Sequence, residues 1–244
     1  MALDPFAPKD ARVTDEIAPP VETTRRRKSL TREYIEAIVI AILLALVIRT
    51  FVVQAFTIPS GSMVPTLQVG DYILVNKFIY GAEVPFTSLH LPGIRAPQRG
   101  DIIVFKYPWD EKRDFIKRVI GLPGDEVYIK GRTVYVNGRP LDEPYALYND
   151  GTSHTNVEYG PSAVPHDSFF MMGDNRDNSQ DSRYWGVLPR DYVKGKALMI
   201  YWSYEAERED YRETGLIGTL KGLGSVAVHF FTRTRWERLF HQIH

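Results

Sequence analysis

Hydrophobic residues follow two regimes along this chain. From Ala37 to Ile48 the residues are apolar without interruption, and apolar positions resume at Phe51-Val52-Val53. A helix from about Tyr34 to Val53 would hold roughly 20 residues at about 1.5 Å each, enough to cross a hydrocarbon core of about 30 Å. Arg49, about a turn from one end, can extend its stem to the headgroups. Beyond Phe56 the runs become short, β-branched and aromatic: Tyr72–Val75, Ile102–Phe105, Phe115–Ile120, Ser168–Met172 and Ala197–Tyr204. Gly-Asp pairs at 70–71, 100–101, 124–125 and 173–174 punctuate them. Val127–Val136 alternates about a glycine, and Asn137-Gly138 beside it predicts a tight type I′ turn. No helical period of useful length occurs between 57 and 204, and 149–155 and Pro161–Pro165 read as loop.

The pattern therefore predicts a mainly β protein: one N-terminal transmembrane helix followed by a mostly antiparallel, coiled β-sheet domain. The expected divisions are a disordered cytoplasmic tail (1–33), an anchor (34–56), an extracytoplasmic β domain (57–204) and a C-terminal tail (205–244). The tail's basic, aromatic end suits a membrane surface, whereas Lys221, His229 and its glycines argue against a second span there. Arg25-Arg26-Arg27-Lys28, directly ahead of the apolar run, orients a single span with its N-terminus in the cytoplasm. A cleavable signal sequence does not fit, because the run begins after more than 30 residues and no A-x-A site follows it.

Charge and composition exclude more than they assign. The 244 residues carry 30 basic and 30 acidic side chains, so nothing global points to nucleic acid. With no cysteine there is no disulfide framework, thiolate metal site or cysteine nucleophile. The six histidines are scattered without ligand spacing, so neither a metal nor another cofactor is expected.

Three segments carry candidate chemistry. Ser60 and Ser62, in the turn Pro59-Ser60-Gly61-Ser62-Met63, lie just past the anchor, where a nucleophile would meet substrates at the membrane surface. A serine needs a base, and Lys117 fits: on strand alternation it shares a face with Phe115 and Val119. Burial among them, with Arg118 adjacent, would lower its pKa from about 10.4 towards about 8, within the range of a general base. The third segment is the dense polar run Gly173–Arg183. It is not a calcium loop, because Arg176 occupies a ligand position and the sixth position lacks glycine. The α/β-hydrolase elbow also fails, with Ser at 60 and Val at 64.

In identity, order and position after an anchor, four segments resemble bacterial type I signal peptidases. They are Pro59–Leu67; Gly100-Asp101 with the strand to Phe105; Phe115–Arg118 with Gly121–Asp125; and Gly173–Ser179 with Asp181-Ser182-Arg183. The resemblance covers about residues 35–204, though two-span members of that family have a second anchor. It implies a membrane-bound serine endopeptidase that removes signal peptides from exported preproteins with a Ser/Lys dyad. Ser62 would be nucleophile, Lys117 general base, and Ser60 Oγ with the Ser62 N–H the oxyanion hole. Ser179 would hydrogen-bond Lys117, Asp181 and Arg183 would pair, and Phe56, Ile58, Val104 and Ile116 would line pockets for small residues. Implied partners are exported preproteins and membrane lipid, without nucleic acid, at the bacterial cytoplasmic membrane. Two other readings stay open. A self-cleaving Ser/Lys repressor would need a DNA-binding domain in place of the anchor. A catalytically inactive anchored β domain could bind preproteins or wall components.

Overall fold

The computed structural model describes residues 30–81, 91–149, 158–205 and 229–244. Residues 1–29 of the expected tail (1–33), the stretch 150–157 and the charged and glycine-rich stretch 206–228 lie outside these residues, while 30–33 of that tail are helical. The chain divides into two compact units, 1–42 and 43–244.

Helix α1 runs Leu30–Val47 and passes into a π-helical turn, Ile48–Val52. Together they make 23 residues, long and apolar enough to cross a membrane, with their large apolar side chains mostly exposed. The helix expected to reach Val53, in an anchor reaching Phe56, stops earlier. Strand β1 (Val53–Thr57) takes over, pairing antiparallel with β2 (Asp71–Asn76) from Val53↔Asn76 to Thr57↔Tyr72. That ladder pairs the β2-facing backbone groups of Val53–Thr57, and β-branched Val53 fits a pleated surface.

The β domain contains two sheets, and every named strand pair is antiparallel. The larger sheet includes β3 (Ile102–Tyr107), β4 (Asp110–Gly121), β9 (Ser168–Met172), β10 (Leu188–Pro189), β11 (Val193–Ser203) and β12 (His241–Gln242). Its order is β1-β2-β11-β3-β4-β9-β10, with β12 also on β11. The smaller sheet has the order β7-β6-β5-β8, from β5 (Glu126–Lys130), β6 (Thr133–Val136), β7 (Arg139–Pro140) and β8 (Glu158–Ala163). Asn137 and Gly138 both have positive φ, 53° and 74°, as the Asn-Gly signal predicts. Pro161, expected in a loop, sits instead in β8, an edge strand, where a missing N–H costs no ladder bond.

The unbroken apolar runs are explained by burial on both faces. In β3, Ile102 and Val104 enter one core with Met63, Leu67 and Ile73, while Ile103, Phe105 and Tyr107 enter another with Val119, Phe169 and Trp185. β9 divides likewise: Phe169 and Met171 face the second core, Phe170 and Met172 a third shared with Val127, Ile129 and Val134 of the small sheet.

The chain from 229 onward belongs to this body, so the fold does not end at the expected boundary of 204. Ile243 is 5% exposed in the core beneath Met63, and its N–H donates to Leu198 O. Arg238 donates to both oxygens of fully buried Asp71, at 3.1 and 2.6 Å. Ile243→Ala should therefore cost about 2–5 kcal/mol of stability. Phe240→Ala, at a side chain 70% exposed, should stay within about 0.5 kcal/mol. Urea unfolding of the detergent-solubilised protein compares them, and equal costs would contradict the packing described.

Candidate active site

The nucleophile candidate sits on a short 3-10 turn, Gly61–Met63, rooted by Met63 and Leu67, both fully buried. Ser60 enters the turn in extended conformation, and Val64-Pro65 leads the chain out of it. Residues before proline disfavour helix, so the turn stays short. The first N–H groups of such a turn have no acceptor within it. The Ser62 N–H, beside its own Oγ, is therefore available to a ligand. Asn175 clamps the turn from the other side: its N–H donates to Ser62 O at 3.1 Å and its Nδ2 to Gly61 O at 3.0 Å.

Strand β4 brings Lys117 to this turn. Lys117 Nζ lies 2.7 Å from Ser62 Oγ and donates to Ile116 O at 2.9 Å. Only 3% of Lys117 and 8% of Ser62 is exposed. Phe115 and Val119 share the Lys117 face, as alternation predicts, and the amine lies 5.4 Å from the Phe115 ring centre. Burial pushes the lysine down from its ordinary 10.5 to about 8. Asp181 and Asp174 act against that shift and Arg183 with it. The cation that helps is thus Arg183, not Arg118 as its adjacency suggested. Arg118 is instead turned onto Asp174, with two bonds of 2.8 Å, and lies 3.8 Å above the Tyr145 ring.

The polar run 173–183 is the third wall. Asp181 pairs with Arg183 through two 2.8 Å bonds, as expected, and accepts from Gly173 N–H at 3.0 Å. Ser179 is buried in the same loop, but the expected bond to Lys117 is not made. Its Oγ has no hydrogen-bond partner and is turned against Gly173, where a β-carbon would strike it. That β-carbon would also come within 2.5 Å of Ser62 O, so the loop can approach Ser62 this closely only with glycine at 173.

A cleft of about 450 Å³ is lined by Ser60, Ser62 and Lys117 together with Arg113, Ile116 and Gln180. Ile116 and half-buried Phe56 pack on the first core. Ile58 and Val104, each 2% exposed, belong to that same core. No group of metal-ligating side chains occurs among the described residues.

Several supports escape a reading of local sequence. Thr66 Oγ1 donates to Asp174 at 2.5 Å, and Arg118 donates to Gly100 O and His244 O, each at 2.9 Å. Buried Arg176 grips Glu143, with bonds of 2.5 and 2.7 Å. Each joins residues distant in sequence, and only the density of charge in 173–183 hinted at them.

Because Gly173 separates the nucleophile turn from the loop, Gly173→Ala should move Ser62 or Ser179 without adding charge. Displacements of about 1 Å can cost about 100-fold. Peptide hydrolysis should accordingly fall by at least about tenfold, with near-native circular dichroism. Wild-type turnover would show that this contact does not set the geometry.

Residues 31–202 match the family described as signal peptidase, peptidase S26. Signal peptidase I of Pseudomonas aeruginosa is 38% identical over 220 residues, covering 76% of this chain and 78% of that protein. The enzyme of the same name from Leptolyngbya laminosa is 41% identical over 193 residues, covering 76% and 86%. That of Aquifex aeolicus is 36% identical over 228 residues, covering 70% and 84%. The chain belongs to the signal peptidase family, peptidase S26, and is by that membership a serine endopeptidase.

Proposed function

We propose that this protein cleaves signal peptides from exported preproteins with Ser62 as nucleophile and Lys117 as general base. The observation that carries the reading is the 2.7 Å contact between Ser62 Oγ and a lysine amine buried enough to be neutral near pH 8. Neutral Lys117 takes the Ser62 proton as Oγ attacks the scissile carbonyl carbon. The developing oxyanion is received by the Ser62 N–H and the exposed Ser60 hydroxyl. Lys117, now an ammonium ion, passes its proton to the leaving amine. It then activates the water that releases the acyl group from Ser62. Ser62 Oγ and Ile116 O occupy two of the amine's positions. Ser179, whose buried Oγ bonds neither the amine nor any other group, acts through the packing of its loop against Gly173. The Asp181–Arg183 pair holds the loop that carries it.

Substrate selection follows from the apolar wall. Ile116 and Phe56 over a floor of Ile58 and Val104 leave room for small side chains near the cut. The apolar segment Leu30–Val52 serves as a single membrane anchor, and Arg25–Lys28 keeps the N-terminus cytoplasmic. Catalysis then occurs on the extracytoplasmic side of the bacterial inner membrane, where exported preproteins emerge.

The protonation state of Lys117 gives the pH test. Below its pKa the ammonium has no lone pair, so kcat/KM on a preprotein should rise through about pH 8 and level off above it. Ser62→Ala and Lys117→Ala should each abolish cleavage, and Lys117→Arg should not rescue it, since arginine stays protonated. An inflection near pH 6.5, or cleavage by Lys117→Ala at the wild-type rate, would overturn the dyad.

Ser60 tests the oxyanion assignment separately. Ser60→Ala should lower kcat by about 10²–10³ with little change in KM. Ser60→Thr, which keeps the hydroxyl, should retain much more activity. Equal losses in both, expressed mainly in KM, would make Ser60 a turn residue only.

A further inference from the structure

The edge of β4 that leads to Lys117 is open. β3 pairs with one side of β4 at Asp110 and, past an irregular stretch at 111–113, from Asp114 to Arg118, while β9 joins the other side only from Arg118 onward. An extended peptide can add to such an edge as a further strand. Phe115 and Lys117 share one face of β4 by alternation, and Arg113 continues their row because its guanidinium lies over the Phe115 ring.

Arg113 is exposed and lines the same cleft as Ser62 and Lys117. Its guanidinium lies 5.3 Å from the Phe115 ring centre and 5.6 Å from that of Tyr107. Those two rings are themselves stacked, 4.2 Å apart and 11° from parallel. The charge is therefore held in place before any ligand arrives, which limits the entropy lost on pairing. Asp114, the neighbouring carboxylate on the cleft, is bound to Lys194 at 2.6 Å. Among the described residues Arg113 has no carboxylate partner of its own.

We propose that Arg113 forms a subsite for an acidic side chain in the part of the substrate that precedes the small-residue positions. The inference rests on the peptidase reading above and adds a specificity determinant to it. Ile116, on the pocket wall, lies on the Arg113 side of Lys117, so the acyl half of the substrate runs from Lys117 towards Arg113. Four residues of strand span about 13 Å. That places the guanidinium beside the fourth to sixth residue before the cut, with the fifth as its centre.

The test uses the full-length protein in detergent and synthetic peptides spanning a signal-peptide junction, with Glu or Lys at the fifth residue before the cut. The readout is the ratio of kcat/KM for the two peptides within each variant, which does not depend on how much of that variant is folded. An exposed pair contributes modestly, so the wild-type protein should prefer Glu by about two- to fivefold. Arg113→Gln should bring the ratio near one, Arg113→Glu should invert it, and added salt should shrink the wild-type preference. The same Glu-to-Lys ratio in wild type and Arg113→Glu would overturn the subsite while leaving the peptidase reading intact. Cleavage of neither peptide by the wild-type protein would overturn that reading and the subsite with it.

Discussion

Keeping one lysine out of water is the constraint on which this structure depends. A shift from 10.5 to about 8 corresponds to roughly 3 kcal/mol of disfavoured charge. Between those pH values the unfolded chain binds the proton that the folded chain sheds, so stability rises with pH in that window. Below about pH 8 the full penalty is present. The walls around Lys117 must therefore be stable on other grounds. They are supplied by strands buried on both faces, with Phe115 and Val119 flanking the amine.

The charges around the site are arranged so that few reach Lys117 unbalanced. Asp174 is neutralised by Arg118, Asp181 by Arg183, and Glu143 by Arg176. Each carboxylate is buried, and for the fully buried Asp174–Arg118 pair, removing one partner would leave an uncompensated charge at a cost of about 3–5 kcal/mol. Paired carboxylates attract the ammonium less than free ones would, which preserves the effect of burial. The same pairs fix the loop 173–183 against the nucleophile turn. One set of contacts thus sets both the geometry and the basicity of the site.

How much of this was legible in the sequence depended on the range of the contacts. Strands β2, β3, β4 and β9, and the turn at Asn137-Gly138, are written in local alternation and turn chemistry, and the sequence reading found them. The face shared by Phe115, Lys117 and Val119 followed from a period of two. By contrast, β1 was absorbed into the anchor because Phe51-Val52-Val53 is apolar in either conformation, and only its ladder with β2 decides between them. Adjacency along the chain points to Arg118 as the cation acting on Lys117, whereas proximity in the fold belongs to Arg183. The anchoring of Ile243 and Arg238 was hidden because both depend on partners more than 40 residues away in sequence.

The clamp of Asn175 on the carbonyls of Gly61 and Ser62 joins segments 114 and 113 residues apart, and this separation bears on when the protein becomes a protease. During synthesis the nucleophile turn emerges first and β4 next, but the loop that completes the pocket follows much later. Until it docks, Lys117 remains hydrated and keeps its ordinary proton. A growing or partly unfolded chain then carries a serine with no base to activate it. On the mechanism proposed above, self-digestion is restrained until this long-range closure is made.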